Sequence, residues 1–135
     1  MCKDVFYNST KLPNHLNQSD QTAIGLEVNQ YFPLIQINCS PYMLEFLCSM
    51  YAPPCTQANV EPPRPCKSLC QAARGGCEIL MNKFGFDWPQ SFNCDTDFFD
   101  DTVGCITGNT SNGRLILELH GVIFFLIFME CQFNI

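Results

Sequence analysis

Basic residues are scarce in this 135-residue sequence: seven Lys and Arg stand against thirteen Asp and Glu, for a net charge of −6, with only two His. A chain of that charge repels a phosphate backbone and cannot exploit counterion release, so nucleic acid is excluded as a partner. Long apolar runs are also missing. The longest, Gly121 to Met129, is nine residues, flanked by Glu118, His120 and Glu130, far short of the ~20 needed to cross a bilayer. There is no G-x-S-x-G elbow, no H-E-x-x-H and no Cys/His pair in catalytic context, so no enzyme is expected. Asp95, Asp97, Asp100 and Asp101 read as a solvated loop rather than an acid/base pair or calcium cage. The opening Met1-Cys2-Lys3-Asp4 has neither the basic flank nor the apolar stretch of a signal peptide.

What the sequence does have is cysteine: ten among 135 residues, beside twelve Phe and 47% hydrophobic content. That density belongs to secreted scaffolds stapled by disulfides and implies an oxidising compartment. The length suits one domain with a tail. Composition shifts after Cys105, since all nine prolines and nine of the ten cysteines come before that boundary. The divisions are a cysteine-rich domain over 1–105, a polar linker over 106–113 and an apolar tail over 114–135. The tail has high β-propensity and no charge at its centre. It reads as read-through or an incomplete gene model, with an interfacial anchor or an aggregation-prone strand as alternatives.

Three helices are expected in the domain. One runs from Asp20 to Val28 and stops before Phe32-Pro33, because the residue before proline is pushed out of the helical region. A second follows Ser40-Pro41, with Met43, Leu44, Leu47, Met50 and Tyr51 at spacings of three and four until Pro53-Pro54. The third covers Cys66 to Lys83, with Leu69, Ala73, Leu80 and Phe84 on one face. Gly75-Gly76 weakens it by roughly 1 kcal/mol per glycine relative to alanine. Val5–Tyr7 and Leu34–Ile37 are candidates for minimal strands.

On the third helix Cys66, Cys70 and Cys77 lie at about 0°, 40° and 20°, so they project from nearly one face. Structural zinc wants closely paired thiolates on a knuckle, and neither that spacing nor a pair of clustered histidines is present, so no metal is expected. The reading these residues favour is three disulfides to three different segments. Four sequons begin at Asn8, Asn17, Asn38 and Asn109, as befits a secreted chain. Asn8 is the best glycan acceptor, and Asn38 the poorest because its sequon contains a cysteine.

Long stretches then carry a resemblance: Tyr7-Asn8-Ser9-Thr10, Gly25-Leu26-Glu27-Val28, Tyr31-Phe32-Pro33-Leu34, Asn38-Cys39-Ser40-Pro41, the run Phe46 to Pro53, Pro65 to Cys70, and Met81 to Pro89. Together they resemble the frizzled cysteine-rich domain, almost continuously over 2–105. The resemblance implies a mainly α, small disulfide-rich helical bundle with two short β-strands. It also implies the pairing Cys2–Cys48, Cys39–Cys77, Cys66–Cys105 and Cys70–Cys94. Cys55 is left unpaired, its family partner falling upstream of Met1, and so is Cys131, which is unrelated to the framework; a Cys55–Cys131 bridge, which would need the tail to fold back, is the lesser alternative. Met1 is then expected to be an internal methionine of a longer protein.

The resemblance further implies a receptor ectodomain at the extracellular face of the plasma membrane. It would bind a lipidated Wnt protein through the attached acyl chain, with a secreted decoy as the alternative. Free fatty acid and a homodimer through the same groove are the other partners implied, and no cofactor is. Matching groove positions are Gln30, Tyr31, Phe32, Pro33, Met50, Tyr51 and Phe86. Burying about ten methylenes at ~0.8 kcal/mol each would give a gross gain of roughly 8 kcal/mol. Leu44-Glu45 departs from the family, whose members carry a basic residue and a phenylalanine there.

Overall fold

The computed structural model describes residues 1–2, 5, 7, 9–57, 59–108 and 131–133, the last three by backbone only. Asn8, the linker beyond Gly108 and the apolar stretch 114–130 lie outside the described residues. In chain order the elements are β1 (Ser9–Lys11), α1 (Gln21–Val28), a 3-10 turn (Asn29–Tyr31), α2 (Phe32–Ile37), α3 (Met43–Tyr51), α4 (Lys67–Lys83), a second 3-10 turn (Gln90–Phe92) and β2 (Cys131–Phe133). Among the described residues the architecture is a helical, disulfide-rich body with one two-stranded antiparallel sheet, in register Ser9↔Phe133, Thr10↔Gln132 and Lys11↔Cys131.

Each helix starts for a local reason. Asp20 caps α1, its Oδ1 accepting from the Thr22 N–H at 2.9 Å and the Ala23 N–H at 3.3 Å, which satisfies donors that a first turn leaves open. The Ser40 Oγ accepts from the Tyr42 N–H at 3.2 Å and closes a turn, so α3 begins at Met43 rather than directly after Pro41. Cys66 sits extended at the N-cap of α4. Here Asp101 supplies the cap from another segment, accepting from the Ser68 N–H at 3.1 Å and Ser68 Oγ at 2.9 Å.

Two local expectations are corrected. Leu34–Ile37 is not a strand but the body of α2, because Pro33 falls in the first turn, where a missing N–H costs nothing. Phe32 takes helical angles (φ −54, ψ −41) despite preceding proline. The short strand lies at Ser9–Lys11, where Thr10 also bridges Pro54, and the described Val5 and Tyr7 lie outside it.

The core is built around α3, which buries Met43 and every residue from Phe46 to Tyr51. A helix apolar nearly all round is a central one. Against it lies an aromatic cluster in which the Phe46 ring stacks 5.9 Å from Trp88 and meets Phe92 edge-on at 5.2 Å. The Trp88 indole N–H donates to the Phe92 carbonyl at 2.6 Å, satisfying its one polar group. The face that α4 buries is Leu69, Cys70, Ala73, Cys77 and Met81, not the one through Leu80 and Phe84. Disulfide sulfurs form part of this core, so the buried row follows the cysteines, and Phe84 is left outside, 68% exposed.

Four disulfides tie the helices together. They are Cys2–Cys48, Cys39–Cys77, Cys66–Cys105 and Cys70–Cys94, with Cα separations of 5.6, 5.0, 5.0 and 5.7 Å. The three cysteines of α4 thus reach three different segments. Cys66 and Cys105 also lie with Asp101 in a cluster of metal-ligand type, but their sulfurs are bonded to each other and have no thiolate to offer. The expectation that Cys55 stands unpaired does not hold, since it is disulfide-bonded. Its backbone is held beside β1, the Cys55 N–H donating to the Ser9 carbonyl at 3.2 Å. The corresponding expectation for the Cys131 side chain lies outside what the structure describes.

Candidate functional site

The chain between α1 and α2 turns within three residues, and Asn38 ends α2 in the left-handed conformation at φ 55. That path sets Gln30, Tyr31, Phe32 and Pro33 in succession around one end of α1. Gln30 and Pro33 are exposed, Phe32 is 46% exposed, and Tyr31 is half-buried. Tyr31 is the anchor of the group, with its ring 6.3 Å from Tyr51 and 5.9 Å from Phe92.

The structure does not bring all seven expected residues to the surface. Met50 and Tyr51 are 1% and 2% exposed. Both belong to the central helix, so adjacency, which would turn one of them outward on a surface helix, has no such effect here. Tyr51 instead supports the site from beneath. Its hydroxyl donates to Glu27 Oε1 at 2.9 Å while Gln18 Nε2 donates to Oε2 at 2.7 Å. Its carbonyl accepts from the buried Asn14 Nδ2 at 3.1 Å. Burial pushes the Tyr51 hydroxyl far above the ordinary tyrosine range, and burial also raises Tyr31. Both phenols are therefore neutral at physiological pH, and the aromatic floor carries no charge.

Phe86 lies on the loop after α4 and is 66% exposed. The loop it lies on continues into the aromatic system. Trp88, two residues on, has its ring 5.8 Å from Phe92, which in turn contacts Tyr31. The loop is fixed at its start by the Phe86 N–H, which donates to the Met81 carbonyl at 3.0 Å over a left-handed Gly85.

Leu26, Ile37 and Ile79, absent from the expected site, are 69%, 59% and 67% exposed, and Phe84, expected on the buried face of the third helix, is 68% exposed. The signal that finds them is negative: they are large apolar side chains off the buried row of their own helices. Scattered single apolars need no explanation, and only a contiguous patch of them would mark an interaction surface. Chemically, the arrangement offers uncharged apolar contact with one amide, Gln30, at its edge.

A family model described as the Fz domain matches residues 1–102. Frizzled-1 of Xenopus laevis is 53% identical over 95 residues, covering 70% of this chain and 17% of that protein. Frizzled-5 of Danio rerio is 48% identical over 95 residues, covering 70% and 16%. The crystal structure of the Smoothened CRD superposes with a TM-score of 0.56 at 25% identity, covering 70% of this chain and 79% of that one. The chain thus spans less than a fifth of the length of these curated frizzled relatives. On the strength of the family match and these identities, it belongs to the Fz-domain family and is a frizzled-type cysteine-rich domain.

Proposed function

We propose that this domain is the Wnt-binding part of a frizzled-type receptor, and that it receives the Wnt acyl chain on the apolar surface around Tyr31, Phe32, Pro33 and Phe86, edged by Gln30. The observation that carries this reading is the exposure of Phe32 and Phe86, 46% and 66%, on segments whose neighbouring Tyr31 and Trp88 pack into the aromatic cluster. Met50 and Tyr51 act there as supports. An acyl chain suits such a surface because it needs area and shape, not charge.

The test is binding of purified domain to acylated and unacylated Wnt, with Phe32→Ser and Phe86→Ser beside the unmodified chain. Acylated ligand should bind at least tenfold more tightly than unacylated, and each substitution should weaken only the acylated form, by about tenfold, the scale of one lost apolar anchor. Equal binding of both ligand forms would overturn the reading. A far-ultraviolet spectrum identical to the parent keeps a folding defect from being mistaken for a lost contact.

A further inference from the structure

The chain has ten cysteines, and the four bridges described above engage eight of them. Cys55 is disulfide-bonded as well, and no free cysteine occurs among the described residues. One cysteine remains to serve as its partner. The backbone brings that residue to the same small sheet. Thr10 bridges Pro54, with the Lys11 N–H donating to the Pro53 carbonyl and the Cys55 N–H to the Ser9 carbonyl, each at 3.2 Å. β1 also pairs with β2 in the register that sets Lys11 against Cys131. Residues opposite each other in an antiparallel ladder share a face, and so do residues two apart along a strand. Ser9 and Lys11 are two apart, so Cys55 and Cys131 occupy positions on one face of the sheet, diagonally across β1.

We infer that Cys55 and Cys131 form a fifth disulfide, and that the carboxyl-terminal strand is a covalently held part of the domain. The two thiols lose two protons and two electrons to a disulfide-donating oxidant of the class that must form the other four bridges. Gly108 lies against the body, where an added Cβ would strike the Tyr42 ring, and this bridge would fasten Cys131 to the same body. This inference is independent of what the apolar surface binds.

The experiment is a disulfide map of the full oxidised chain, cut without reduction by trypsin, chymotrypsin and thermolysin; cleavage after Tyr51 separates Cys48 from Cys55, and cleavage before Val60 separates Cys55 from Cys66. The expected product is a Cys55 peptide linked to a Cys131 peptide. Cys55 alkylated without reduction, joined to one of the other eight cysteines, or joined to a second copy would overturn the inference. As a second readout, Cys131→Ser should expose one alkylatable thiol per chain, located at Cys55, where the parent exposes none. If that variant is not secreted, the map of the parent still decides.

Discussion

Two adjacent glycines in α4 should respond to the same substitution with opposite signs. A Cβ added at Gly75 meets nothing within 4 Å, whereas one added at Gly76 runs into the carbonyl oxygen of Cys39, with Ser40 Cβ also 3.0 Å away. Both positions are interior to one helix, so both alanines gain the same propensity term, about 1 kcal/mol. That term cancels in the comparison, and the difference between the two variants isolates the clash. Overpacking costs typically 1–3 kcal/mol when side chains can move aside. Here the obstacle is backbone, and Cys39 is pinned by its bridge to Cys77 with a Cα separation of 5.0 Å, so relief requires shifting α4 as a whole. Gly75→Ala should therefore raise stability by about 0.5–1 kcal/mol, and Gly76→Ala should fall below it by about 3 kcal/mol or more. Urea unfolding with disulfides intact measures this directly, as a shift in midpoint at unchanged slope. Two variants moving in the same direction by similar amounts would refute the argument, because propensity alone would then account for both.

Three further outcomes are expected. Tyr7→Phe should cost about 1–1.5 kcal/mol, because the buried Tyr7 hydroxyl donates to the Ala52 carbonyl at 2.6 Å and lies 3.2 Å from that of Cys48; an unchanged urea midpoint would show the bond to be worthless. Burial holds the Glu45 carboxyl above its usual range, so the folded state keeps that proton longer than the unfolded chain, and this group favours folding below the unfolded value of about 4.3 and loses that contribution as pH rises through the raised folded value. Glu45→Gln should then gain stability relative to the parent between pH 4 and 7, and a difference constant with pH would dispose of the idea. Of the two described sequons, Asn17 should carry glycan and Asn38 should not: Asn17 is exposed in a left-handed turn with Ser19 exposed beside it, while Ser40 is buried with its Oγ donating to Ala72 and Cys39 is bridged. Deglycosylation in oxygen-18 water followed by peptide mass analysis reads both sites, and heavy-oxygen deamidation at Asn38 alone would reverse the assignment.

The sequence disclosed helices best where caps and prolines punctuate them, and it misled where tertiary contacts decide. Asp20 and Cys66 stand at the starts expected of them. Pro33 was read as a stop, but a proline ends one helix and begins another with equal ease, and only the 3-10 turn through Tyr31 distinguishes the two. The buried face of α4 departs from the one its apolar residues alone trace, because Cys70 and Cys77 are more than staples on the helix surface. They are themselves core residues, at 0% exposure, and they draw Met81 inward in place of Phe84. For the candidate site the residue types were legible and their depth was not. Nothing in the spacing of Met50 and Tyr51 says that α3 is covered on all sides, since that depends on Phe92, Trp88 and Phe99 arriving from the far end of the domain.

That burial changes what the site requires of each residue. An apolar surface holds its shape only if its underside is immobile, and here the underside is polar as well as packed: Glu27 is gripped by Tyr51 and Gln18, and Asn14 Oδ1 accepts from the Leu16 and Gln18 N–H groups at 3.0 and 2.9 Å. A buried network of this kind is stable when every member is satisfied and fails locally when one is lost. Changes at Tyr51 should therefore disturb Tyr31 through their ring contact without ever touching a ligand, while changes at Phe32 or Phe86 act at the surface and leave the floor intact. The two classes separate by measurement, because the first should lower stability and binding together and the second binding alone.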